Sequence, residues 1–471
     1  MQFDSLAYIA LLGGTLLGFF QLNATARTWL LIAASLLFYA TWSIPFTGLI
    51  VLSAVIDYTA ALAIHASRTP RRRRAFLLLS LVSNLGLLGY FKYAGFFLDN
   101  LRAVFGDSAA ADALAIVLPP GISFYTFQTM SYTIDVYRRQ LVPTRSFSRM
   151  FLFVTFFPQL VAGPIERAGH LLTQFECAVR HRFRVENFVV GARMIVWGLA
   201  KKVLVADSCA RLVDAAYADP AGYDGWSLMV ATYAFTLQIY FDFSAYSEIA
   251  RGSARLFGVD LMRNFDQPYL VTNVSDFWRR WHISLSTWIR DYVYRPLGGN
   301  RGSRPRVLFN LVLTMFLSGL WHGAAWNFVL WGLYHGLLLL VDALVRPTVF
   351  ARRLVHGRFA AVVSAVAWLS TFHLVVLGWL LFRVDRVGDV PIIVERIGTA
   401  LAGHSAPHPA QLGFFAAVAG FLALSWLDRR LGLLRRIDAD PALSVIFYAA
   451  LIVAAILGAP AQAPGFIYFQ F

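Results

Sequence analysis

Charged residues are scarce in this sequence. Of its 471 residues only 14% are charged and 58% are hydrophobic, whereas a soluble globular domain carries about 25% charged and about 45–50% apolar residues. This composition excludes a soluble enzyme, a disordered chain and a fibrous repeat, because the apolar surface is too large for water alone. A membrane-spanning helix needs about 20 mostly apolar residues, so the apolar content would fill about a dozen spans. The composition therefore predicts a polytopic membrane protein.

Cysteine is scarce, and several common catalytic motifs are absent. The two cysteines, Cys177 and Cys209, lie in segments that the topology below places on opposite faces of the membrane. No disulfide and no cysteine-based metal site is therefore expected. The sequence contains no His-Glu-x-x-His pair, no Gly-x-Ser-x-Gly turn and no phosphate-binding glycine loop. We expect neither an ATP-driven pump nor a serine hydrolase, and no bound metal.

Acidic residues are fewer than basic ones. Twenty-six Asp and Glu against 41 Lys and Arg give a net charge of +15. In a soluble protein this excess would suggest nucleic-acid binding, but in membrane proteins basic residues collect in the cytoplasmic loops. The distribution of basic loops is the simpler explanation, so no nucleic-acid partner is expected.

The basic loops set the predicted topology. Five arginines lie between Arg68 and Arg74, which places this loop in the cytoplasm and the N-terminus outside. A retained first helix is expected, since Asp4 stands where a signal peptide would be positive. Alternation of the later loops predicts about twelve crossings, an outside C-terminus and one domain over residues 1–471. The predicted spans are 6–22, 29–44, 46–66, 75–98, 115–136, 187–206, 225–246, 307–322, 324–345, 359–382, 412–427 and 441–458.

Two stretches do not fit plain spans. The apolar stretch 150–166 has basic segments on both flanks and contains Pro158, Gly163 and Pro164. We expect a re-entrant hairpin there, with its non-helical backbone buried in protein or lining a cavity. Residues 251–306 are basic but rich in Trp and Phe, which predicts amphipathic or partly inserted helices.

Three apolar stretches carry an unusual number of polar side chains. They are residues 119–135 with Gln128, 157–167 with Gln159, and 238–248 with Asp242. Polar groups inside a membrane are costly and usually mark a pathway or a site. Hydrogen bonding between kinked helices and a water-filled or ligand-lined cavity both fit these stretches, and the two alternatives stay open.

One histidine is predicted to lie inside the membrane. His322 ends an apolar run that starts after Arg306, and sixteen residues at about 1.5 Å each climb about 24 Å, less than the ~30 Å hydrocarbon core. A neutral imidazole there can accept a proton from a hydroxyl group. On chemistry alone, a buried structural histidine is the alternative. His335 and His373, also in apolar runs, are interpreted as structural.

Five motifs, in this order along the chain, resemble those of the membrane-bound O-acyltransferase family. They are Pro-x-Gly-Ile-Ser-Phe-Tyr-Thr-Phe-Gln at 119–128, Phe-Pro-Gln-x-x-x-Gly-Pro-Ile at 157–165, Tyr-Phe-Asp-Phe-Ser-x-Tyr-Ser at 240–247, Trp-His-Ile-Ser-Leu-Ser-x-Trp-x-Arg-Asp-Tyr at 281–292 and Gly-x-Trp-His-Gly at 319–323. The resemblance covers nearly the whole chain. Residues Trp379–Arg383 and Phe466–Phe471 favour the bacterial branch of alginate O-acetylation. The resemblance to the family implies an all-α membrane fold with about twelve transmembrane helices plus re-entrant and amphipathic helices.

The resemblance also implies acyl transfer from a thioester to a hydroxyl group. The nearly invariant histidine of the family maps onto His322, which would act as the base, and its second marked position maps onto His282, which would position the thioester. The implied donor is cytoplasmic acetyl-CoA, with no bound cofactor. The implied acceptor is a hydroxyl on a periplasmic acetyl-carrying or acetyltransferase partner, for O-acetylation of an exopolysaccharide such as alginate. The chain would lie among the lipids of a bacterial inner membrane, with both termini periplasmic.

Nine further residues are candidates for a substrate channel, because they are polar or aromatic side chains within these motifs or beside them. They are Trp321, Asn327, Ser318, Trp281, Ser284, Asp291, Gln128, Gln159 and Asp242.

Other functions stay open at this point. A transporter of an acylated or lipid-linked precursor would explain the spans, although no pair of inverted halves is visible, and a structural scaffold would tolerate changes at both histidines. Among acyltransferases, another acyl group such as D-alanyl, or a covalent intermediate on Ser318 or Ser284, fits the same residues. We expect a partner to contact the outer loops 99–114, 207–224 and 384–411.

Overall fold

The structure, a computed structural model, describes residues 1–106, 116–345, 359–460 and 465–467. Within these ranges the chain forms helices and loops, and no described residue lies in a β-strand, so the predicted all-α class is confirmed. The chain divides into two compact units. The first is Met1–Gly198 with Tyr246–Arg263, and the second is Leu199–Ala245 with Asn264–Phe471. That the whole chain acts as one domain stays a prediction.

Polar side chains set where the helices of the first unit begin. Asn23 accepts a hydrogen bond from the backbone N–H of Ala26 at 3.0 Å and caps the second helix, which therefore starts at Ala24 rather than at residue 29. The helices of this unit are α1 (Leu6–Phe19), α2 (Ala24–Ala40), α3 (Ile44–Ala66), α4 (Pro70–Leu88), α5 (Ala94–Phe105), α6 (Ile122–Tyr137), α7 (Phe147–Thr155), α8 (Ala168–Ala178) and the first part of α9 (Val185–Lys201).

A buried carboxylate links α3, α4 and α6 in the first unit. The side-chain amide of Asn84 donates to both oxygens of Asp57, at 3.0 and 2.8 Å. Ser80 also donates to Asp57, and its hydroxyl lies 2.9 Å from that of Thr133. Because these partners hydrogen-bond the buried carboxylate, hydrogen bonding between helices accounts for the polar residues here.

The stretch predicted as a hairpin contains the expected break. Helix α7 ends at Thr155, and residues 156–167, which include Pro158, Gly163 and Pro164, form no regular helix. Residues 156–166 are all buried, which meets the requirement for non-helical backbone at membrane depth. The re-entrant path of this stretch across the membrane stays a prediction.

The second unit contains the later helices, and π-helical turns extend several of them. They are the end of α9, α10 (Asp207–Ala218), most of α11 (Gly225–Leu256), α12 (Val274–Arg280), α13 (Ile283–Ile289), α14 (Arg304–His322), α15 (Trp326–Val345), α16 (Ala360–Arg383), α17 (Asp389–Thr399), α18 (Pro409–Leu431), α19 (Leu433–Ala439) and α20 (Pro441–Gly458). Two short helices, α12 and α13, lie within 251–306, while their amphipathic or partly inserted placement stays a prediction.

Six helices of the described residues are long and apolar enough to cross a membrane. They are Ile44–Ala66, Pro70–Phe105, Trp326–Val345, Ala360–Arg383, Pro409–Leu431 and Pro441–Gly458, with Leu6–Phe19 and Ala24–Ala40 as shorter apolar helices. A protein that crosses the membrane several times is therefore confirmed, while the count of twelve crossings stays a prediction.

Two segments predicted to be outer loops contain helices. Helix α10 lies within 207–224, and α17 lies within 384–411. The acidic residues of 207–224 suggest a loop, but in α10 the buried residues Ala210, Val213 and Tyr217 recur at helical spacing. Both segments are amphipathic helices with one charged face.

Candidate active site

The α14–α15 hairpin, in the second unit, places His322 at the end of a helix. His322 is the last residue of α14 and is only 4% exposed. Glycines allow the two helices to approach backbone to backbone. A Cβ atom on Gly319 would lie 2.2 Å from the carbonyl oxygen of Phe328, and one on Gly332 would lie 2.5 Å from that of Met315. Only glycine fits at these two positions, so Gly319 of the Gly-x-Trp-His-Gly motif is required by the helix packing.

Aromatic rings surround the imidazole of His322. The ring centroids of Trp321 and Trp331 each lie 5.0 Å away, and that of Phe382 lies 5.3 Å away. Asn327 holds Phe382 in place, because its side-chain amide donates to the carbonyl oxygens of Phe382 and Val384 at 3.3 and 3.0 Å. The histidine thus lies in an apolar chamber whose walls come from α14, α15 and α16.

His282 lies at the junction of α12 and α13 in an unusual backbone conformation. Its φ of 44° and ψ of 54° are left-handed, which costs a residue other than glycine about 1–3 kcal/mol. Asn264 stabilises this turn. Its carbonyl oxygen accepts from the N–H of Ile283 at 2.9 Å, and its side-chain oxygen accepts from the N–H of Ser284 at 3.2 Å. The turn directs a fully buried imidazole into the unit.

The structure brings the two histidines together. Their ring centroids lie 6.5 Å apart, and Trp321 contacts both, at 5.8 Å from His282 and 5.0 Å from His322. Phe243 of α11 packs edge-on against His282 at 4.6 Å. The two imidazoles, which we call the histidine pair, therefore form one buried cluster with the indole of Trp321.

A small cavity lies on the α13 side of α14. Its volume is about 130 Å³, and Ser318, Ser286, Thr314 and Arg290 are among the residues that line it. Ser318 is one helical turn before His322. Arg290 donates hydrogen bonds to Asp291 at 2.9 and 3.1 Å, and these bonds raise the pKa of the Arg290 guanidinium.

Three other candidate channel residues lie in the second unit and make structural contacts. Trp281 stacks on Phe277 at 5.6 Å and packs against Trp379 at 4.7 Å. Ser284 is buried beside the turn of His282. Asp291 forms ion pairs with Arg290 and Arg295, both at 2.9 Å.

Asp242 takes part in a buried cluster of charges. Lys202 lies 2.8 Å from Asp207 and 3.1 Å from Asp242. The second oxygen of Asp242 accepts from the backbone N–H of Ile467 at 2.8 Å. Next to this link, Phe466 packs against Phe243 at 6.0 Å, so the segment 465–467 contacts the ring that borders His282.

Gln128 and Gln159 belong to the first unit, and the fold brings them to one point. Both side-chain amides donate to the carbonyl oxygen of Phe153, at 2.6 and 2.8 Å. This carbonyl lies in the last turn of α7, where helix geometry leaves oxygens without intrahelical partners. The two glutamines thus cap the helix that precedes the buried break.

Several site residues were not predicted from the sequence. Asn264 carries no local signal, because it acts on a turn almost twenty residues later. Phe243 lies within the noted motif 240–247, and Phe382 within Trp379–Arg383, but neither ring was singled out. Within the described ranges, no three His, Cys, Asp or Glu side chains converge to hold a metal ion.

Comparison with known proteins identifies the family. A family model described as MBOAT, membrane-bound O-acyltransferase family, matches residues 29–382. The chain is 41% identical over 395 residues to the probable alginate O-acetylase AlgI of Azotobacter vinelandii, covering 82% of this chain and 76% of the relative. It is 36% identical over 400 residues to the peptidoglycan O-acetyltransferase of Helicobacter pylori, covering 79% and 74%. It is 25% identical over 270 residues to the teichoic acid D-alanyltransferase of Bacillus subtilis, covering 56% and 68%. The predicted resemblance is confirmed: the chain belongs to the membrane-bound O-acyltransferase family and is a multi-pass membrane O-acyltransferase.

Proposed function

We propose that this protein transfers an acetyl group from a thioester to a hydroxyl acceptor, with His322 as the general base and His282 as the group that polarises the thioester. The observation that carries the proposal is the histidine pair, two buried imidazoles with centroids 6.5 Å apart. An imidazole nitrogen reaches a reacting atom at about 2.6–3.2 Å. A small group between the rings can therefore lie within reach of both.

The proposed step requires no cofactor. The neutral imidazole of His322 takes the proton of the acceptor hydroxyl while the hydroxyl oxygen attacks the thioester carbonyl carbon. A C–O bond forms, the C–S bond breaks, and the imidazolium returns the proton to the leaving thiolate. His282 donates a hydrogen bond to the carbonyl oxygen, where negative charge develops, and the aromatic walls strengthen that interaction by excluding water.

The cavity beside Ser318 supports a route for the donor. Ser318, one helical turn before His322, and Arg290 both line it, and an arginine suits the phosphates of a nucleotide-linked thioester. We therefore propose acetyl-CoA, supplied from the cytoplasm, as the donor. Basic loops such as Arg68–Arg74 support this orientation, which places both termini on the periplasmic side of a bacterial inner membrane.

The similar proteins favour acetyl over D-alanyl. Relatives named as O-acetylases or O-acetyltransferases match about four fifths of this chain, while the named D-alanyltransferase matches 56%. We propose as acceptor a hydroxyl of a cell-envelope polysaccharide such as alginate, reached directly or through a periplasmic acetyl-carrying or acetyltransferase partner. The segments 99–114, 207–224 and 384–411 would contact that partner, and residues 107–114 of the first segment lie outside the described part of the chain.

The test compares His322→Ala with His373→Ala in cells that make the native polymer. His373 is an exposed histidine of the same unit whose ring bonds the carbonyl oxygen of Leu369, so its loss controls for removing any histidine. We expect the O-acetyl content, measured by NMR, to vanish only with His322→Ala. Unchanged O-acetylation with normal accumulation of that variant would refute the role of His322.

A second experiment distinguishes an acyltransferase from a transporter. Purified protein receives acetyl-CoA labelled in the acetyl group, and the label is followed into acceptor or free acetate. Label that stays on CoA at every acceptor concentration would indicate a transporter. Loss of ester-linked D-alanine instead of O-acetyl groups in the deletion strain would overturn the choice of acetyl.

A further inference from the structure

A large apolar groove lies between α16 and α18, separate from the histidine pair. Its volume is about 1030 Å³, at the upper end of small-molecule pockets. Trp368 and Phe372 of α16 and Phe415 and Leu422 of α18 are among the residues that line it. Both helices are candidate membrane spans, so the groove runs along the part of the protein that faces hydrocarbon.

Helix α18 makes little contact with the rest of its unit. Of its 23 residues, only Val418 and Leu422 are buried, and both line the groove. An apolar space of this size is not stabilised by water, which needs several polar partners. Something apolar therefore fills the space between α16 and α18 in the membrane.

One end of the groove is basic. Arg429 and Arg430 are exposed and line this end. Arg429 donates one hydrogen bond to the carbonyl oxygen of Leu270, and Arg430 lies over the ring of Trp426 at 5.4 Å. A guanidinium has five N–H donors, so both arginines keep donors for a further partner.

The acid that precedes these arginines in the sequence, Asp428, hydrogen-bonds other groups. Asp428 accepts from the N–H of Leu434 at 2.9 Å and from the amide of Gln267 at 3.3 Å. In the part of the chain that the structure describes, neither Arg429 nor Arg430 forms an ion pair with a carboxylate. The basic end of the groove therefore presents two arginines, neither of which is held in an ion pair by a carboxylate.

We propose that this groove binds an anionic phospholipid, with its acyl chains along α16 and α18 and its phosphate at Arg429 and Arg430. The dimensions support this occupant. From Phe415 to Arg429 the helix rises about 21 Å, at about 1.5 Å per residue, close to the depth of one leaflet including its headgroups. Basic pockets between transmembrane helices are the expected binding sites for anionic headgroups.

The test measures phospholipid that stays on the purified full-length protein. Protein in detergent is mixed with vesicles of phosphatidylcholine containing phosphatidylglycerol, repurified, and analysed for bound lipid by mass spectrometry. The double variant Arg429→Gln/Arg430→Gln should bind phosphatidylglycerol roughly 10- to 30-fold more weakly, the order expected for losing two cations at a phosphate. The matched control is Arg435→Gln/Arg436→Gln, an exposed arginine pair on α19 that does not line the groove.

A second pair of variants tests the apolar part. Ala423→Phe puts a ring into the groove and should exclude the lipid, whereas Ala417→Phe changes an exposed alanine of α18 outside its lining. His322→Ala should retain the lipid, which separates this site from the proposed catalysis.

Three results would overturn the proposal. The first is equal retention of phosphatidylglycerol by all variants. The second is equal retention of phosphatidylcholine and phosphatidylglycerol by the unmodified protein. The third is full displacement of the lipid by glycerol phosphate alone, which would reduce the groove to a phosphate site without a role for the acyl chains.

Discussion

The imidazole rings of His282 and His322 lie 6.5 Å apart, and the indole of Trp321 contacts both of them. The two histidines reach this arrangement by different means. His322 ends a long helix whose glycines pack against the next helix, and His282 occupies a left-handed turn between two short helices. Each of these supports can be changed without touching either imidazole.

Asn264→Ala should reduce acyl transfer through His282. The change removes the oxygen that accepts from the N–H of Ser284, which costs about 1 kcal/mol of capping energy and frees the strained turn. Because a small misplacement of a reacting group can lower the rate up to about 100-fold, we expect kcat to fall about tenfold or more with a smaller change in the KM for the acyl donor.

Asn264→Asp keeps the acceptor oxygen, and its charge suits a helix N-terminus, so it should restore most of the lost kcat. The control is Asn273→Ala, which removes the equivalent cap from α12, where Asn273 accepts from the N–H of Asp276 at 2.8 Å. Equal losses of kcat in Asn264→Ala and in this control would argue against a specific role in holding His282.

Gly319→Ala should separate α14 from α15 and displace His322. A Cβ atom there would lie 2.2 Å from the carbonyl oxygen of Phe328, and backbone atoms cannot move aside cheaply. We expect the melting temperature and the acyl transfer rate to fall together, with a loss of about 1–3 kcal/mol in unfolding free energy. Gly420→Ala, on α18, has open space around its Cβ position and should leave the rate unchanged without lowering the melting temperature, since alanine favours a helix. A Gly319→Ala protein with native melting temperature and rate would contradict the packing argument.

The buried charges around Lys202 predict that loss of this lysine destabilises the protein more than loss of one of its acidic partners. Lys202→Met would leave Asp207 and Asp242 buried without their shared cation, a change that typically costs about 3–5 kcal/mol. Asp242→Asn leaves one acid facing Lys202 and keeps an acceptor oxygen, so it should cost much less. Thermal unfolding in detergent measures both variants.

Arg279→Met is the surface control for the charge cluster. It breaks the exposed pair with Asp276 and should change stability by about 1 kcal/mol or less. If Asp242→Asn destabilised the protein as much as Lys202→Met, Lys202 could not be acting as a cation shared by two acids.

Much of the fold could be predicted because hydrophobic runs and basic loops are local signals. The boundaries of α15, α16 and α20 follow their apolar runs within a few residues, and His322 falls at a helix end as its glycine neighbours suggest. Helices α10 and α17 were missed because their charged faces mimic loops, although their apolar faces have helical spacing.

The geometry of the site could be predicted only in part. The positive φ of His282 is set by distant packing and by Asn264, and no pattern around either residue indicates a left-handed turn. The 6.5 Å between the two histidine rings likewise depends on how α13 packs near the end of α14. The motifs therefore predicted which residues matter, and tertiary structure determined how they face each other.

The most direct test of the account measures acyl transfer by purified His322→Ala with and without added imidazole. If His322 removes the acceptor proton, the variant should lose about 10²- to 10⁴-fold in rate, the range of general base catalysis. It should keep the melting temperature of the unmodified protein within a few degrees, and imidazole that enters the vacated chamber should restore part of the rate. A His322→Ala protein that transfers the acyl group within about threefold of the unmodified rate would contradict the central claim.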